Sequence, residues 1–184
     1  LKVRLWFLLL TSFLIPRVCF SQIPKPALLS SSSNEVSADF LMPVKGESFA
    51  HSGTGGQIAD SHFFGEHFGI KLQADYERTN WLKFQDSGLR TGPIIRFATK
   101  RAVQPYVEAL VGYARVKATY LKPVNSFHGS GSALVGGGFD YRLAGGWYAK
   151  IGVDFQGDWA SSTRVQRGLI GISYRRGNGV NSRY

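Results

Sequence analysis

The chain has 184 residues, 43% of them hydrophobic and 18% charged, with 22 glycines, one cysteine and a formal net charge of +10 from 22 Lys and Arg against 12 Asp and Glu. That apolar and aromatic content excludes a disordered chain, the aperiodic glycines exclude a collagen-like one, and a single cysteine excludes a disulfide scaffold. The length suits one domain, and a mean hydropathy of −0.10 leaves a soluble domain or a membrane protein whose lipid-facing surface is hidden in the average.

The first predicted element is an export signal over residues 1–21. Lys2 and Arg4 make a basic start, Leu5 to Ile15 is apolar apart from Thr11 and Ser12, and Cys19-Phe20-Ser21 precede a cleavage expected before Gln22. The apolar run is too short for a membrane-spanning helix. Taking these 21 residues from 184 leaves 163 without cysteine, and losing Lys2, Arg4 and Arg17 but no acid lowers +10 to +7. An exported chain without thiols relies on neither disulfides nor a thiolate zinc site, and it is not a cysteine hydrolase. Export also argues against nucleic acid as the target of the positive charge; acidic lipid headgroups or an acidic polymer fit better. Residues 22–33, QIPKPALLSSSS, read as a flexible lead-in.

From Asn34 to Arg176 the apolar period is two rather than 3.6, and it recurs in eight segments separated by turn-forming residues. Glu35 to Met42 sets Val36, Ala38, Phe40 and Met42 against Ser37, Asp39 and Leu41. Gly56 to Phe64 is strand-like but ambiguous in phase. Phe68 to Glu77 sets Phe68, Ile70, Leu72, Ala74 and Tyr76 against Gly69, Lys71, Gln73, Asp75 and Glu77. Leu89 to Ala98 carries Arg90 and Arg96 on its polar side, and Val103 to Ala114 carries Glu108 there. Ser132 to Leu143 carries Asp140 and Arg142. In Trp147 to Trp159 the faces separate most cleanly: Trp147, Ile151, Val153, Phe155 and Trp159 oppose Tyr148, Lys150, Asp154, Gln156 and Asp158. Finally Gly168, Ile170, Ile172 and Tyr174 oppose Arg167, Leu169, Gly171, Ser173 and Arg175. Residues 177–184 form a polar tail.

Tight turns are expected at Gly65-Glu66-His67, Thr99 to Ala102 and Ala144-Gly145-Gly146, and longer links at Pro43 to Gly55, Arg78 to Gly88, Arg115 to Gly131 and Ala160 to Gln166. This alternation predicts an all-β, eight-stranded antiparallel up-and-down transmembrane β-barrel over residues 34–176, with both termini on the short-turn, periplasmic side. The polar face carries Asp39, Asp75, Glu77, Glu108, Asp140, Asp154 and Asp158 against Lys71, Arg90, Arg96, Arg142, Lys150, Arg167 and Arg175. A narrow lumen requires such pairing. Phe68, Tyr76, Tyr113, Tyr141, Trp147, Trp159 and Tyr174 fall near strand ends, where aromatic girdles of a membrane barrel lie.

Gly136-Gly137-Gly138-Phe139-Asp140-Tyr141 leading to Trp147-Tyr148-Ala149, together with Phe68-Gly69-Ile70-Lys71-Leu72 and Pro105 to Gly112, resembles the small eight-stranded outer membrane proteins of the OmpA/OmpX type. The resemblance runs from about Asn34 to Arg176 and implies the fold more than any activity. It also implies a bacterial outer membrane setting, contact with lipid and lipopolysaccharide, and insertion by the barrel assembly machinery. In such proteins a glycine in the last strand is followed by aromatics at the third and fifth positions; here Gly171 is followed by Tyr174 and Arg176.

No catalytic residue, cofactor or metal is expected. His128-Gly129-Ser130 is similar to the His-x-Ser pair of outer membrane lipid A deacylases, which need a nearby acid. Asp140, the obvious acid, lies too far along the same segment to reach it. His51, His62 and His67 have no metal-ligand spacing. The expected role is structural or interactive and neither catalytic nor pore-forming, with Arg78, Lys83, Arg115, Lys117 and Lys122 meeting lipopolysaccharide phosphates or an external partner. The alternatives are a small outer membrane hydrolase or acyltransferase, and a soluble exported barrel with its tryptophans around an apolar ligand.

Overall fold

The computed structural model describes residues 32–44, 53–79, 84–118, 127–159 and 164–177; the predicted signal, nearly all of the lead-in and the tail after Gly177 lie outside them. Eight strands form: β1 (Ser33–Pro43), β2 (Thr54–Phe63), β3 (Phe68–Thr79), β4 (Phe84–Arg96), β5 (Val103–Ala118), β6 (Phe127–Arg142), β7 (Trp147–Asp158) and β8 (Arg164–Gly177). Each pairs antiparallel with the next, and β8 returns to β1 from Ser33 opposite Gly177 to Pro43 opposite Arg167, closing the barrel. Closure leaves no free sheet edge, so every strand has two partners.

The alternation in sequence becomes an inside and an outside. Along β7, Trp147, Ile151, Val153 and Phe155 are exposed, whereas Tyr148, Lys150, Asp154, Gln156 and Asp158 are buried. The ambiguous phase of β2 resolves with Gln57, Ala59, Ser61 and Phe63 inside and Ile58, Asp60 and His62 outside. It was unreadable because this strand carries polar residues on both faces.

Following paired residues once around the barrel from Tyr174 leads through Val36, Asp60, Leu72, Thr91, Val111, Ala133 and Gly157 back to β8 at Arg164, ten residues from the start. For eight strands this stagger corresponds to a tilt of roughly 40° from the barrel axis and an interior just wide enough for side chains.

One end of the barrel has tight turns. Between β6 and β7, Gly145 and Gly146 take φ of +59° and +88°, and the Trp147 amide donates to the Ala144 carbonyl at 2.9 Å. Both central residues of a type I′ turn need positive φ, which glycine meets without strain. At the other end the strands run further than the sequence predicts. Most of Arg78 to Gly88 and Arg115 to Gly131 is strand, and only residues 80–83 and 119–126 separate the paired segments. Both stretches are rich in polar residues, which suggested loops, and before Ser132 the glycines among them have a packing cause instead. A Cβ on Gly129 would come within 1.4 Å of the Tyr113 hydroxyl, and one on Gly131 within 2.2 Å of the Trp159 ring. These glycines give rings on the neighbouring strands a place to lie.

Candidate functional site

The interior is a ladder of ion pairs. At the short-turn end Glu35 of β1 accepts from Arg96 of β4 and from Arg175 of β8, and lies 3.6 Å from Lys150 Nζ. Arg175 also donates to Asp140 and to Gln104 Oε1. Aromatic rings cover these cations: the Arg96 guanidinium lies 3.9 Å from the Phe63 ring centroid, Arg175 lies 3.7 Å from that of Tyr148, and Lys150 Nζ lies 4.5 Å from that of Tyr106. Phe63, Ile94 and Tyr106 form one buried apolar cluster among them. Ring faces and carboxylates together offset the cost of removing these cations from water.

Higher in the barrel Lys71 Nζ donates to both oxygens of Glu108 at 2.9 Å. Asp39 accepts from Gln57 at 2.9 Å. Asp75 then takes Arg90 on one oxygen and Arg167, at 3.1 Å, on the other, and Arg167 reaches Asp154 at 3.5 Å and Glu77 at 3.7 Å. At the far end Gln156 donates to Asp86 at 2.9 Å and to Asp158 at 3.2 Å, while the Gly53 amide donates to Glu77.

Thirteen of the fourteen charges predicted to face inward are buried there: Asp39, Lys71, Asp75, Glu77, Arg90, Arg96, Glu108, Asp140, Lys150, Asp154, Asp158, Arg167 and Arg175. Arg142 is not; it is exposed at the end of β6, where its Nε donates to the Tyr148 hydroxyl at 3.2 Å. Its strand phase is inward, but it lies at the rim, where the wall ends and solvent begins. Two buried acids are absent from the predicted set, Glu35 and Asp86. Glu35 shares the phase of Ser37 and Asp39 but opens its segment, and Asp86 falls in a stretch read as a loop. With them, the described interior holds nine acids and six bases rather than seven of each. The surplus gathers at the far mouth, in Glu77, Asp86 and Asp158.

The exterior is the reverse. Phe68, Tyr76, Tyr113, Tyr141, Trp147, Trp159 and Tyr174 are all exposed, as are Val36, Phe40, Ile58, Leu72, Leu89, Val111, Val135, Ile151 and Ile170 between them. Trp147 and Tyr174 pack together at the short-turn end, ring centroids 5.1 Å apart. At the other end Arg78 and Arg115 stand two residues beyond Tyr76 and Tyr113 on the same outward faces, and Arg164 opens β8 near Trp159; all three are exposed. With the ten-residue stagger these three arginines fall at nearly one height, a collar just beyond Tyr76 and Tyr113 and level with Trp159. Lys83 and Lys122 lie outside the described residues, and Lys117 is half-buried near the end of β5.

A soluble barrel with tryptophans around an apolar cavity is overturned by this arrangement, because Trp147 and Trp159 point outward and the interior is ionic. His128 lies in β6, with its backbone paired to Val116, rather than in a loop. His62 is bonded to Asn34 and His67 to the Arg96 carbonyl, while His51 lies outside the described residues. Among the described residues no group of three or more His, Cys, Asp or Glu is placed to hold a metal.

No protein-family model matches the chain, and no curated protein matches it in sequence. Solved structures do. Neisserial surface protein A superposes with a TM-score of 0.54 at 16% identity, over 79% of this chain and 94% of its own. The N-terminal β-barrel domain of Pseudomonas aeruginosa OprF gives 0.55 at 16% identity, over 80% and 98%. Ail, the attachment invasion locus protein of Yersinia pestis, crystallised with the heparin analogue sucrose octasulfate, gives 0.52 at 15%, over 80% and 99%. At these identities the likeness is one of fold: a closed eight-stranded antiparallel barrel shared with small outer membrane proteins.

Proposed function

We propose that this chain is an integral barrel of a bacterial outer membrane, with its termini in the periplasm and the opposite rim at the cell surface. Its role is structural and interactive, without catalysis and without an open pore. One observation carries the reading: the side chains of the wall are inverted relative to a soluble protein, ions inside and Val, Ile, Leu and aromatics outside. In water such an exterior would drive aggregation, and in lipid it is the expected surface. The packed interior and the cluster of Phe63, Ile94 and Tyr106 support a closed lumen.

The collar of Arg78, Arg115 and Arg164 gives the surface role its chemistry. Cations just beyond an aromatic band sit where anionic headgroups begin, so lipopolysaccharide phosphates are the natural partner. Ail, of similar fold, was crystallised with a polyanion, which supports the reading that a barrel of this size can hold one. The barrel assembly machinery is the expected insertion partner. The test is membrane fractionation with gel mobility compared before and after heating. A membrane-bound chain whose unheated form runs faster than the boiled form is the expected result; a chain soluble without detergent and with one mobility overturns the proposal.

A further inference from the structure

We propose that the far mouth of the lumen binds one divalent cation, calcium in preference to magnesium, through the carboxylates of Asp86 and Asp158 and the amide oxygen of Gln156. The site lies inside the wall, so the inference goes beyond the membrane reading and holds whichever compartment this rim faces. Charge is the first sign. Glu77 and Asp86 stand directly opposite one another on β3 and β4, both turned inward and both buried, and like charges so placed repel. Glu77 is relieved by the Gly53 amide and by Arg167 at 3.7 Å. Asp86 and Asp158 instead share, among the described residues, one neutral donor, the side-chain amide of Gln156, at 2.9 and 3.2 Å. The arginines beneath them, Arg90 and Arg167, are taken by Asp75.

The second sign is independent of repulsion between acids. Asp86 Oδ1, Asp158 Oδ2 and Gln156 Oε1 are buried without a hydrogen-bond partner, in side chains only 2, 4 and 3% exposed. The glutamine is the more telling, because it is neutral and its amide nitrogen is already bonded to both carboxylates, which holds its oxygen beside them. All three atoms are acceptors, and a buried acceptor left unmet is costly. A set made of oxygens alone, carrying two negative charges, matches a hard divalent cation.

The stagger of the barrel brings these groups together. Ten residues over eight strands set Asp86 on β4 and Asp158 on β7 at nearly one height, on strands three apart. Gln156, two residues below Asp158 on the same inward face, spans the lumen between them. Side chains reaching in from two strands impose no octahedron. Calcium accepts such irregular oxygen sets, with water completing its shell, whereas magnesium demands near-ideal geometry. Two carboxylates rather than three make a weak site, in the range of extracellular calcium modules, roughly 10⁻⁴ to 10⁻³ M.

The experiment uses the full chain in detergent, free of lipopolysaccharide, whose phosphates bind the same ions. Terbium, which occupies calcium sites and emits when a nearby indole is excited, is titrated in, with Trp159 beside Asp158 as the antenna. Emission that saturates at one ion per chain, and that calcium displaces at lower concentration than magnesium, is expected. Asp86→Asn and Asp158→Asn should each weaken terbium binding by about tenfold or more. Gln156→Glu, which supplies a third carboxylate, should strengthen it, and Glu66→Gln, at the opposite rim, should leave it unchanged. Heat-dependent gel mobility shows that each variant is folded; the two Asn variants, which keep the size of the side chain, decide the matter if Gln156→Glu is not. No saturable binding, binding that survives both Asn changes, or an equal loss in Glu66→Gln overturns the inference.

Discussion

Lys71 on β3 and Glu108 on β5 face one another across the barrel interior, the ammonium 2.9 Å from both carboxylate oxygens and both side chains fully buried. Neither strand neighbours the other; β4 lies between them. The pair therefore acts as a strut through the lumen rather than along the wall. Removing one partner leaves a buried charge unpaired, so Glu108→Leu alone should destabilise the barrel by about 3–5 kcal/mol. The double change Lys71→Met with Glu108→Leu should cost far less. Urea unfolding of the lipid-inserted chain, followed by tryptophan fluorescence, gives both values; equal losses in the single and double variants would show that the strut is not what holds these strands.

Glu35 lies against Arg96, Arg175 and Lys150, while Arg142 sits in solvent at the rim. Glu35→Gln should therefore cost about 2–4 kcal/mol, since three cations lose their shared anion. Arg142→Ala should fall within about 0.5 kcal/mol of the parent, as surface changes usually do. The same unfolding assay ranks them, and a larger loss at Arg142 would contradict the described interior.

Two glycines on the wall separate steric need from habit. A Cβ on Gly138 would come within 2.1 Å of the Ile151 carbonyl oxygen, which is backbone and cannot swing away, whereas one on Gly157 meets nothing within 4 Å. Gly138→Ala should lose most of the fast-running unheated form on a gel, and Gly157→Ala should keep it.

Replacing Arg78, Arg115 and Arg164 together by Gln should weaken retention of lipopolysaccharide by the purified barrel while leaving its heat-dependent mobility intact. The parent's retention should also fall as salt rises, because exposed charges are screened beyond about 10 Å at 0.1 M. Salt-independent retention, unchanged in the triple variant, would remove the collar from the surface role.

Planar bilayers containing the folded chain should show no conductance steps of the size expected of an open channel, because the rings of Phe63, Tyr106 and Tyr148 and the ion pairs among them fill the short-turn end. Regular steps abolished by boiling would contradict a closed lumen.

The legible parts of the fold were those in which chemistry and geometry share a period. In β7 every second residue is apolar because lipid-facing and lumen-facing environments differ sharply, so the strand and both its faces follow from WYAKIGVDFQGDW alone. In β2 the exposed face carries Asp60 and His62 and the buried face carries Ala59 and Phe63, so polarity no longer distinguishes outside from inside. The start of β6 was hidden differently: glycines that make room for Tyr113 and Trp159 have the composition of a turn. Asp86 was lost with the polar start of β4, where Phe84 to Gly88 carries no alternation. Glu35 was in phase all along, but nothing local reveals that an acid at the edge of a segment will face cations from β4, β7 and β8.

Glu35 and Arg175 stand 140 residues apart in sequence, one on the first strand and one on the last. That pairing cannot form while the chain is being extended, and a contact of such separation is among the slowest to close. Until β8 arrives, Glu35 has its anion only partly matched and the wall has two raw edges. The seam thus works as a test of completeness: a chain cut short before β8 forfeits both the last ladder of backbone bonds and the charge that would lock it, and full stability comes only to a wall that has met its own beginning.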